Sequence, residues 1–299
     1  MNWSKETRET SENLIKQLQL PDSFKEIVRD IYMPLAEIIM QKKQQHPLLV
    51  SINGAQGTGK STLTLFIKHI LQQQLECKVA ALSLDDFYKT RAERVTLAEE
   101  IHPLLITRGV PGTHDLDLLE NTIHRLRKQQ QCNSPKFDKA CDDRCDESKW
   151  THYNEPVEVI LFEGWCNNSP AQSPQELKQA VNQLETIEDP DGIWRDYANQ
   201  QLKQYHQKIF NQVDLCIMLK APDFEHIYEW RSLQEQKLRQ NTDNAASTHI
   251  MNETELKRFI QHYERISRHT LKYLPEIADV VIPINSDHSI NNIIQRHDK

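Results

Sequence analysis

The first feature that could do chemistry is a phosphate-binding pattern near the start of the chain. Residues 54–61 read Gly-Ala-Gln-Gly-Thr-Gly-Lys-Ser, which matches G-x-x-x-x-G-K-[ST] at every specified position. The backbone N–H groups of such a loop surround nucleotide phosphates, and the following helix points its positive end at them. We expect Lys60 to reach the β- and γ-phosphates of ATP and Ser61 to bind Mg²⁺. The predicted nucleotide-binding residues are Gly54, Ala55, Gln56, Gly57, Thr58, Gly59, Lys60, Ser61 and Thr62.

Two adjacent carboxylates, Asp85 and Asp86, follow the second apolar run, within the sequence Ser-Leu-Asp-Asp-Phe-Tyr of residues 83–88. The carboxyl ends of parallel strands open onto the ligand crevice, where a carboxylate can accept the proton of an acceptor hydroxyl. Because strand side chains alternate between faces, only one of the two can readily face the γ-phosphate. We expect Asp86 and Tyr88 to bind the acceptor. The alternative is a pair of solvated turn aspartates.

A third apolar run delivers Glu163 to the same edge, in the sequence Phe-Glu-Gly-Trp of residues 162–165. After a phosphate-binding loop, a strand-terminal acid is typical of the group that completes a Mg²⁺ shell or orients the acceptor. We therefore predict Ser61 and Glu163 as the metal-side residues. Gly164 lets the chain turn without blocking the site.

A second glycine cluster reads Arg-Gly-Val-Pro-Gly-Thr-His-Asp over residues 108–115. This pattern predicts a stiff turn that opens a helix, with Asp115 as its N-cap. A planar guanidinium suits a carboxylate or a phosphate, so Arg108 and His114 are candidate substrate-binding residues. Either side chain could instead be merely exposed.

The elements that position these residues follow from the apolar pattern. Five short, continuously apolar runs indicate strands buried on both faces, and amphipathic stretches between them supply crossover helices. We predict a three-layer α/β/α fold with a five-stranded, mostly parallel, doubly wound sheet. The predicted strands are Leu48–Asn53, Val79–Leu84, Val157–Phe162, Leu215–Leu219 and Val280–Ile284, and the predicted helices cover 62–75, 115–130, 196–212, 222–240 and 254–273.

The rest of the chain is organised around that unit. Residues 1–45 have helical apolar spacing and are predicted to be a helical extension packed on a domain of residues 46–299. The segments 131–155 and 167–193 are interpreted as insertions, because neither has the apolar periodicity of a second core. The polar segment 241–252 is predicted to be a mobile connector.

Composition excludes several classes of protein. The chain has 36 basic and 43 acidic side chains, a net charge of −7, which argues against a protein that coats nucleic acid or an anionic membrane. Only seven of 299 residues are glycine, and five lie in the two clusters above, so collagen and flexible-linker classes are excluded. No apolar run has the length of a membrane span and the N-terminus does not resemble a secretory signal, so we expect a cytoplasmic protein.

The six cysteines do not form a regular framework, so reduced thiols are expected in that compartment. Cys132, Cys141, Cys145 and His152 could in principle close a zinc site, although no C-x-x-C pair is present. The sequence assigns these cysteines no role beyond packing.

Taken together, the motifs resemble those of the plant-type D-glycerate 3-kinases and their fungal and bacterial relatives, within the phosphoribulokinase, uridine kinase and pantothenate kinase group of P-loop kinases. The resemblance runs in order from about residue 48 to about residue 240. It is carried by the segments 54–61, 83–88, 108–115, 162–165 and 230–235, the last of which reads Trp-Arg-Ser-Leu-Gln-Glu.

The resemblance implies roles for particular residues. Asp85 takes the place of the base on the acceptor hydroxyl. Residues 222–262 look like the group's lid, with Arg231 closing on the transferring phosphoryl; the alternative is an i,i+4 surface pair of Arg231 with Glu235. Within residues 134–144, Asp138, Lys139 and Arg144 match the pattern of the relatives, and Asp138 is the predicted substrate-binding residue. The Tyr, Ser and Gly of the relatives are replaced, which bears on substrate choice.

The predicted function is phosphoryl transfer from Mg·ATP to a hydroxyl of a small molecule, most plausibly D-glycerate, with Lys60, Asp85 and Arg231 as catalytic residues. Another acceptor, such as a nucleoside, pantothenate or a sugar phosphate, is the alternative within kinases. A non-catalytic nucleotide-binding regulator is the alternative outside them. A guanine-specific switch is disfavoured, because Met-Leu-Lys-Ala at 218–221 lacks the expected Asn/Thr-Lys-x-Asp. No nucleic-acid or membrane partner is expected, and oligomeric state is left open.

Overall fold

The apolar runs predicted as strands form one central sheet. The computed structural model describes residues 4–241 and 251–296. Within them the strands of the sheet are β1 (Leu48–Gly54), β2 (Val79–Ser83), β7 (Val159–Gly164), β8 (Leu215–Lys220), β9 (Val280–Pro283) and β10 (Ile294–Gln295). They lie in the order β10-β9-β8-β1-β7-β2. The first five strands along the chain run parallel, which confirms the predicted doubly wound α/β sheet.

The sheet differs from prediction at one edge, and the largest shift of a predicted strand is in the third. A sixth strand, β10, pairs antiparallel with β9; it is two exposed residues long and therefore has no apolar alternation to detect. The third strand, predicted as Val157–Phe162, begins and ends two residues later in the structure. Glu163 and Gly164 are therefore its last two residues and do not lie beyond its end. Glu163 is consequently held by parallel pairing on both sides, with Ile52 and Ser83 as its register partners.

Helices cover both faces of the sheet. In β1 and β7, alternate residues join two different apolar clusters, which explains why these strands read as continuous apolar runs. The helices are α1 (Lys5–Gln17), α2 (Phe24–Ile27), α3 (Met33–Gln41), α4 (Lys60–Gln74), α5 (Arg91–Glu100), α6 (Leu116–Arg127), α7 (Pro174–Leu177), α8 (Gln183–Glu188), α9 (Ile193–Lys208), α10 (Phe224–Asn241) and α11 (Glu253–Tyr273). One cluster contains side chains of α3, α4 and α10, and the other contains side chains of α6 and α9.

The N-terminal helices join the main core. A π-helical turn, Val28–Tyr32, links α2 to α3, and the buried Tyr32 ring packs 5.8 Å from that of Phe66 on α4. Ile15 of α1 is also buried in this cluster. The apolar spacing of the segment therefore reflects packing against α4.

The insertions are more ordered than their composition suggests. Residues 131–155 contain two antiparallel strand pairs. One is formed by β3 (Cys132–Ser134) with β6 (Thr151–Tyr153), and the other, between them in sequence, is the hairpin of β4 (Phe137–Asp138) with β5 (Asp143–Arg144). Residues 167–193 contain α7 and α8 and contribute Leu184 to a small separate apolar cluster.

Two further features complete the fold. No helix within residues 4–241 and 251–296 has the length and apolarity needed to cross a membrane. The connector predicted over 241–252 lies mostly outside the described residues, because 242–250 are not described.

Candidate active site

The phosphate-binding loop joins β1 directly to α4, whose first residue is Lys60. Gly57 and Gly59 have φ values of +84° and +82°, a left-handed conformation that favours glycine. A Cβ on Gly54 would lie 2.5 Å from the Thr58 hydroxyl, which donates to the Ala55 carbonyl at 2.8 Å. The loop is therefore already tightly wound, with the N-terminus of α4 at its centre.

Glu163 lies beside this loop with one of its oxygens fully engaged. Its Oε1 accepts hydrogen bonds from the hydroxyls of Ser83 at 2.5 Å and Ser61 at 3.3 Å. Its Oε2 is buried 4.0 Å from the Lys60 ammonium and has no hydrogen-bond partner among the described residues. A buried carboxylate oxygen without a partner, next to a serine hydroxyl, fits the oxygen chemistry that Mg²⁺ requires.

Asp85 lies in a 3₁₀ turn, Leu84–Phe87, that follows β2. Lys139 donates to its Oδ2 at 2.6 Å and the Tyr88 hydroxyl donates to its Oδ1 at 3.1 Å. Burial raises the pKa of Asp85, but the ammonium groups of Lys139 and Lys60 outweigh this effect and bring its pKa to about 2. Asp85 is therefore an ionised carboxylate close to the phosphate-binding lysine.

Asp86 has different neighbours from Asp85. The two side chains diverge because both residues lie in the 3₁₀ turn after β2, and not because side chains alternate along a strand. Its Oδ2 accepts from Lys136 at 3.0 Å and its Oδ1 accepts from the backbone N–H of Phe137 at 3.2 Å. Both partners belong to the β4–β5 hairpin segment. The Asp86 carboxylate thus attaches this hairpin to the end of β2.

His114 is buried between two tyrosines. Its ring stacks on Tyr88 with centroids 4.4 Å apart, and its Nδ1 lies 2.9 Å from the Tyr205 hydroxyl. Burial lowers the pKa of His114 to about 3, although the Asp85 charge acts in the opposite direction. A neutral His114 thus supports the wall of the site, and its Nε2 has no partner among the described residues.

Arg108 is held by Asp142, which accepts from its Nη1. The same carboxylate binds Arg91 at 2.9 Å and the fully buried Arg94 at 3.0 Å. The Arg108 guanidinium also lies 5.7 Å from the centre of the Phe137 ring. These contacts fix Arg108 beside the β4–β5 hairpin.

Asp138 is engaged by its own hairpin. Its Oδ1 accepts from the backbone N–H groups of Ala140 at 2.8 Å and Cys141 at 3.3 Å. The predicted substrate-binding side chain therefore shapes the turn, and its neighbour Lys139 reaches the site.

Within the described residues no group of three His, Cys, Asp or Glu side chains is arranged to hold a metal, and Cys132 is buried while Cys141 is exposed.

The α10 helix passes against the phosphate-binding loop. A Cβ on Gly57 would lie 2.8 Å from the Cβ of Trp230 and 3.8 Å from the backbone nitrogen of Arg231. The Tyr263 hydroxyl donates to the Arg108 carbonyl at 3.2 Å. Burial and the Asp85 charge raise the pKa of this hydroxyl, and the charges of Arg108 and Arg231 act in the opposite direction. The Glu235 side chain lies outside the part that the structure describes.

Several residues at the site were missed by sequence reasoning. Ser83 stands within the 83–88 segment, and Lys139 keeps the residue type that the related kinases show after Asp138, but neither was assigned a role from the sequence. Trp230 and His288 stack with centroids 4.1 Å apart, and the His288 Nε2 lies 3.1 Å from the Gly57 carbonyl. No local signal joins residues 57 and 288.

Comparisons with known proteins bear on this geometry. Residues 49–199 match the Phosphoribulokinase / Uridine kinase family. An uncharacterized kinase of Schizosaccharomyces pombe is 33% identical over 233 residues, which cover 74% of this chain and 80% of that protein. The chloroplastic D-glycerate 3-kinase of Arabidopsis thaliana is 27% identical over 267 residues, which cover 83% of this chain and 54% of the relative, so the chain spans about half of that protein.

The fold has a solved counterpart. The D-glycerate 3-kinase from Cryptococcus neoformans var. grubii superposes with a TM-score of 0.74 at 23% identity, covering 89% of this chain and 99% of that one. Both the predicted P-loop kinase fold and the predicted family resemblance are confirmed. The chain belongs to the phosphoribulokinase/uridine kinase family and is an ATP-dependent P-loop kinase.

Proposed function

We propose that this kinase transfers the γ-phosphoryl group of Mg·ATP to the 3-hydroxyl of D-glycerate. The observation that carries the proposal is Asp85, an ionised carboxylate that Lys139 contacts at 2.6 Å and whose pKa the Lys60 charge also lowers. An acceptor hydroxyl placed there can give its proton to Asp85 while its oxygen attacks the γ-phosphorus. The bond between the γ-phosphorus and the bridging oxygen of ADP breaks in the same transfer.

The residues of the loop and of β7 have complementary tasks in this proposal. Lys60 and the N–H groups of the loop hold the phosphates and offset their charge. Ser61 and the Oε2 of Glu163, which accepts no hydrogen bond from the described residues, would hold Mg²⁺. When bound, that ion neutralises the charge that develops on the phosphates. Ser83 keeps the Glu163 carboxylate in its orientation through the 2.5 Å hydrogen bond.

The acceptor end is proposed to be the region bounded by Tyr88, Arg108, His114 and the β4–β5 hairpin. The neutral His114 and the buried part of Tyr88 form an apolar wall, and Arg108 contributes positive charge near it. The positive charge of Arg108 suits an anionic alcohol better than an uncharged nucleoside. The named function of two relatives, D-glycerate 3-kinase, supports the same choice.

Residues 222–262 are proposed to act as the lid. Helix α10 already contacts the phosphate-binding loop at Trp230, so Arg231 is carried on an element that adjoins the reacting phosphates. Closure over the site would exclude water, which otherwise competes with the acceptor for the phosphoryl group.

An acceptor panel tests the proposal. ADP release is measured with D-glycerate, L-glycerate, uridine, pantothenate and ribulose 5-phosphate, with Lys60→Ala as the background control. We expect D-glycerate to give the highest kcat/KM. If it gives no more turnover than buffer while another hydroxyl compound does, the proposed acceptor is wrong. Nucleotide binding without turnover on any acceptor would favour a non-catalytic regulator.

A further inference from the structure

The contact between Lys139 and Asp85 has a consequence for acceptor choice. Lys139 stands at the turn of the β4–β5 hairpin, 54 residues from Asp85 in sequence, and its Nζ lies 2.6 Å from the Asp85 Oδ2. Its side chain is 60% exposed, whereas that of Asp85 is 25% exposed. A long, largely solvated lysine is therefore paired with the carboxylate that the acceptor hydroxyl must reach.

Other cations around this region have carboxylate partners that belong to the scaffold. Arg108 pairs with Asp142, and Arg144 donates to Asp115 at 3.1 Å and to the Tyr88 carbonyl at 2.9 Å. Each of these arginine side chains is less than one quarter exposed. Their ion pairs hold the loop and the hairpin in place, so neither guanidinium can leave its partner as readily as the Lys139 ammonium can.

Lys136 offers a close comparison on the same hairpin segment. It pairs with Asp86 at 3.0 Å, and Asp86 also accepts the Phe137 backbone N–H, so that carboxylate is occupied by the hairpin at both oxygens. The Lys139 pair has no such backbone contact; the second oxygen of Asp85 accepts only the Tyr88 hydroxyl among the described residues. The Lys139 pair can therefore be exchanged without detaching the hairpin.

We propose that Lys139 is the residue that selects an acidic acceptor, by exchanging the Asp85 carboxylate for the carboxylate of the substrate. This inference rests on the proposed function, because it assigns the charged end of the hydroxy acid that the kinase phosphorylates. A short hydroxy acid can bridge the separated pair, with its hydroxyl donating to Asp85 and its carboxylate accepting from Lys139, each at roughly 2.7–3.0 Å.

The exchange also changes the reactivity of Asp85. While paired, the carboxylate is stabilised by Lys139, which together with Lys60 offsets the effect of burial on its pKa. When the acceptor carboxylate takes the ammonium, Asp85 loses that stabilisation and becomes a stronger base for the hydroxyl proton. An uncharged alcohol leaves Lys139 on Asp85 and meets a weaker base.

The experiment compares D-glycerate with D-glyceramide, which has the same hydroxyls and no charge. Steady-state kinetics are measured for the wild type, Lys139→Met, Lys139→Arg and the matched control Lys136→Met. We expect the wild type to favour D-glycerate by about 10- to 100-fold in kcat/KM. In Lys139→Met this ratio should fall to within roughly threefold, mainly through a higher KM for D-glycerate and with the KM for ATP unchanged.

The remaining variants separate recognition from folding. Lys139→Arg should keep most of the preference and Lys136→Met should keep the full ratio, because neither removes the exchangeable positive charge. An unchanged ratio in Lys139→Met, or an equal loss on both acceptors, would overturn the inference while the D-glycerate activity of the wild type stands. If the wild type does not phosphorylate D-glycerate, the proposed function fails instead. In that case the Lys139 inference also fails if the best acceptor of the panel is uridine, which is uncharged. It holds if the best acceptor is an anion whose KM rises in Lys139→Met.

Discussion

Gly57 and Gly59 form a matched pair that tests the contact between α10 and the phosphate-binding loop. Both have nearly the same positive φ, +84° and +82°. A Cβ on Gly57 would lie 2.8 Å from the Trp230 Cβ and 3.6 Å from the Trp230 carbonyl carbon. A Cβ on Gly59 would have no atom of the described residues within 4 Å. Replacement of each glycine by alanine therefore separates backbone strain from packing.

The expected magnitudes follow from this difference. An L-residue in the left-handed region costs roughly 1–2 kcal/mol, which applies to both variants. In Gly57→Ala the new methyl also meets a Cβ that is fixed to a helix, and overpacking of this kind adds about 1–3 kcal/mol. The free energy of unfolding should thus fall by about 1–2 kcal/mol in Gly59→Ala and by about 2–5 kcal/mol in Gly57→Ala.

Thermal unfolding of the nucleotide-free protein measures this difference. A chain of 299 residues has an unfolding entropy of about 0.6 kcal/mol/K at about 2.1 cal/mol/K per residue. The melting temperature should therefore fall by about 2–3 °C in Gly59→Ala and by about 3–8 °C in Gly57→Ala. Nucleotide is left out because its phosphates would contact both positions and add a binding effect to the stability.

Two outcomes of this comparison would contradict the packing of α10 against the loop. Equal decreases in the two variants would mean that α10 does not pack against the loop in solution. The placement of Arg231 next to the phosphates would then lose its structural basis. A larger decrease in Gly59→Ala would contradict the packing argument outright.

Three further predictions concern the chemistry and the pH dependence of the site. Asp85→Asn should lower kcat by about 10²–10⁴ with nearly unchanged ATP affinity, because the base is lost while the phosphate loop is intact; a near-normal kcat would refute the base assignment. Glu163→Gln should raise the Mg²⁺ concentration for half-maximal activity about tenfold or more, measured by titration at fixed ATP; an unchanged titration would place the metal elsewhere. His114 has a folded pKa of about 3, so only the unfolded state gains its proton as pH falls from 7 to 5, and this destabilises the protein. In denaturant unfolding, the fall in the free energy of unfolding between pH 7 and pH 5 should be about 2 kcal/mol smaller in His114→Asn than in the wild type. The control His124→Asn, at an exposed position, should lose as much stability as the wild type.

Local sequence was sufficient for the parts of the fold that depend on neighbouring residues. The phosphate-binding loop is a run of small residues between a strand and a helix, so its conformation and position follow from eight consecutive residues. The buried strands were visible because both faces of each are apolar. The strand that carries Glu163 ends two residues later than predicted, because an apolar run does not indicate where the hydrogen bonding between parallel strands ends.

The acceptor side was decided by contacts between residues far apart in sequence. Asp138 matched a family position, but its carboxylate is used by its own turn and Lys139 reaches Asp85 instead. Arg108 could be predicted as a functional cation, whereas its pairing with Asp142 across 34 residues could not.

The chain by itself thus predicted a nucleotide site and the residues proposed to hold its phosphates, because backbone N–H groups and a helix N-terminus can form such a site from one short segment. Only the tertiary structure decided which lysine contacts Asp85, which carboxylate anchors the hairpin and which helix packs against the loop. Those choices depend on how the hairpin and α10 fold back onto the ends of the strands, and no local period or spacing records that packing.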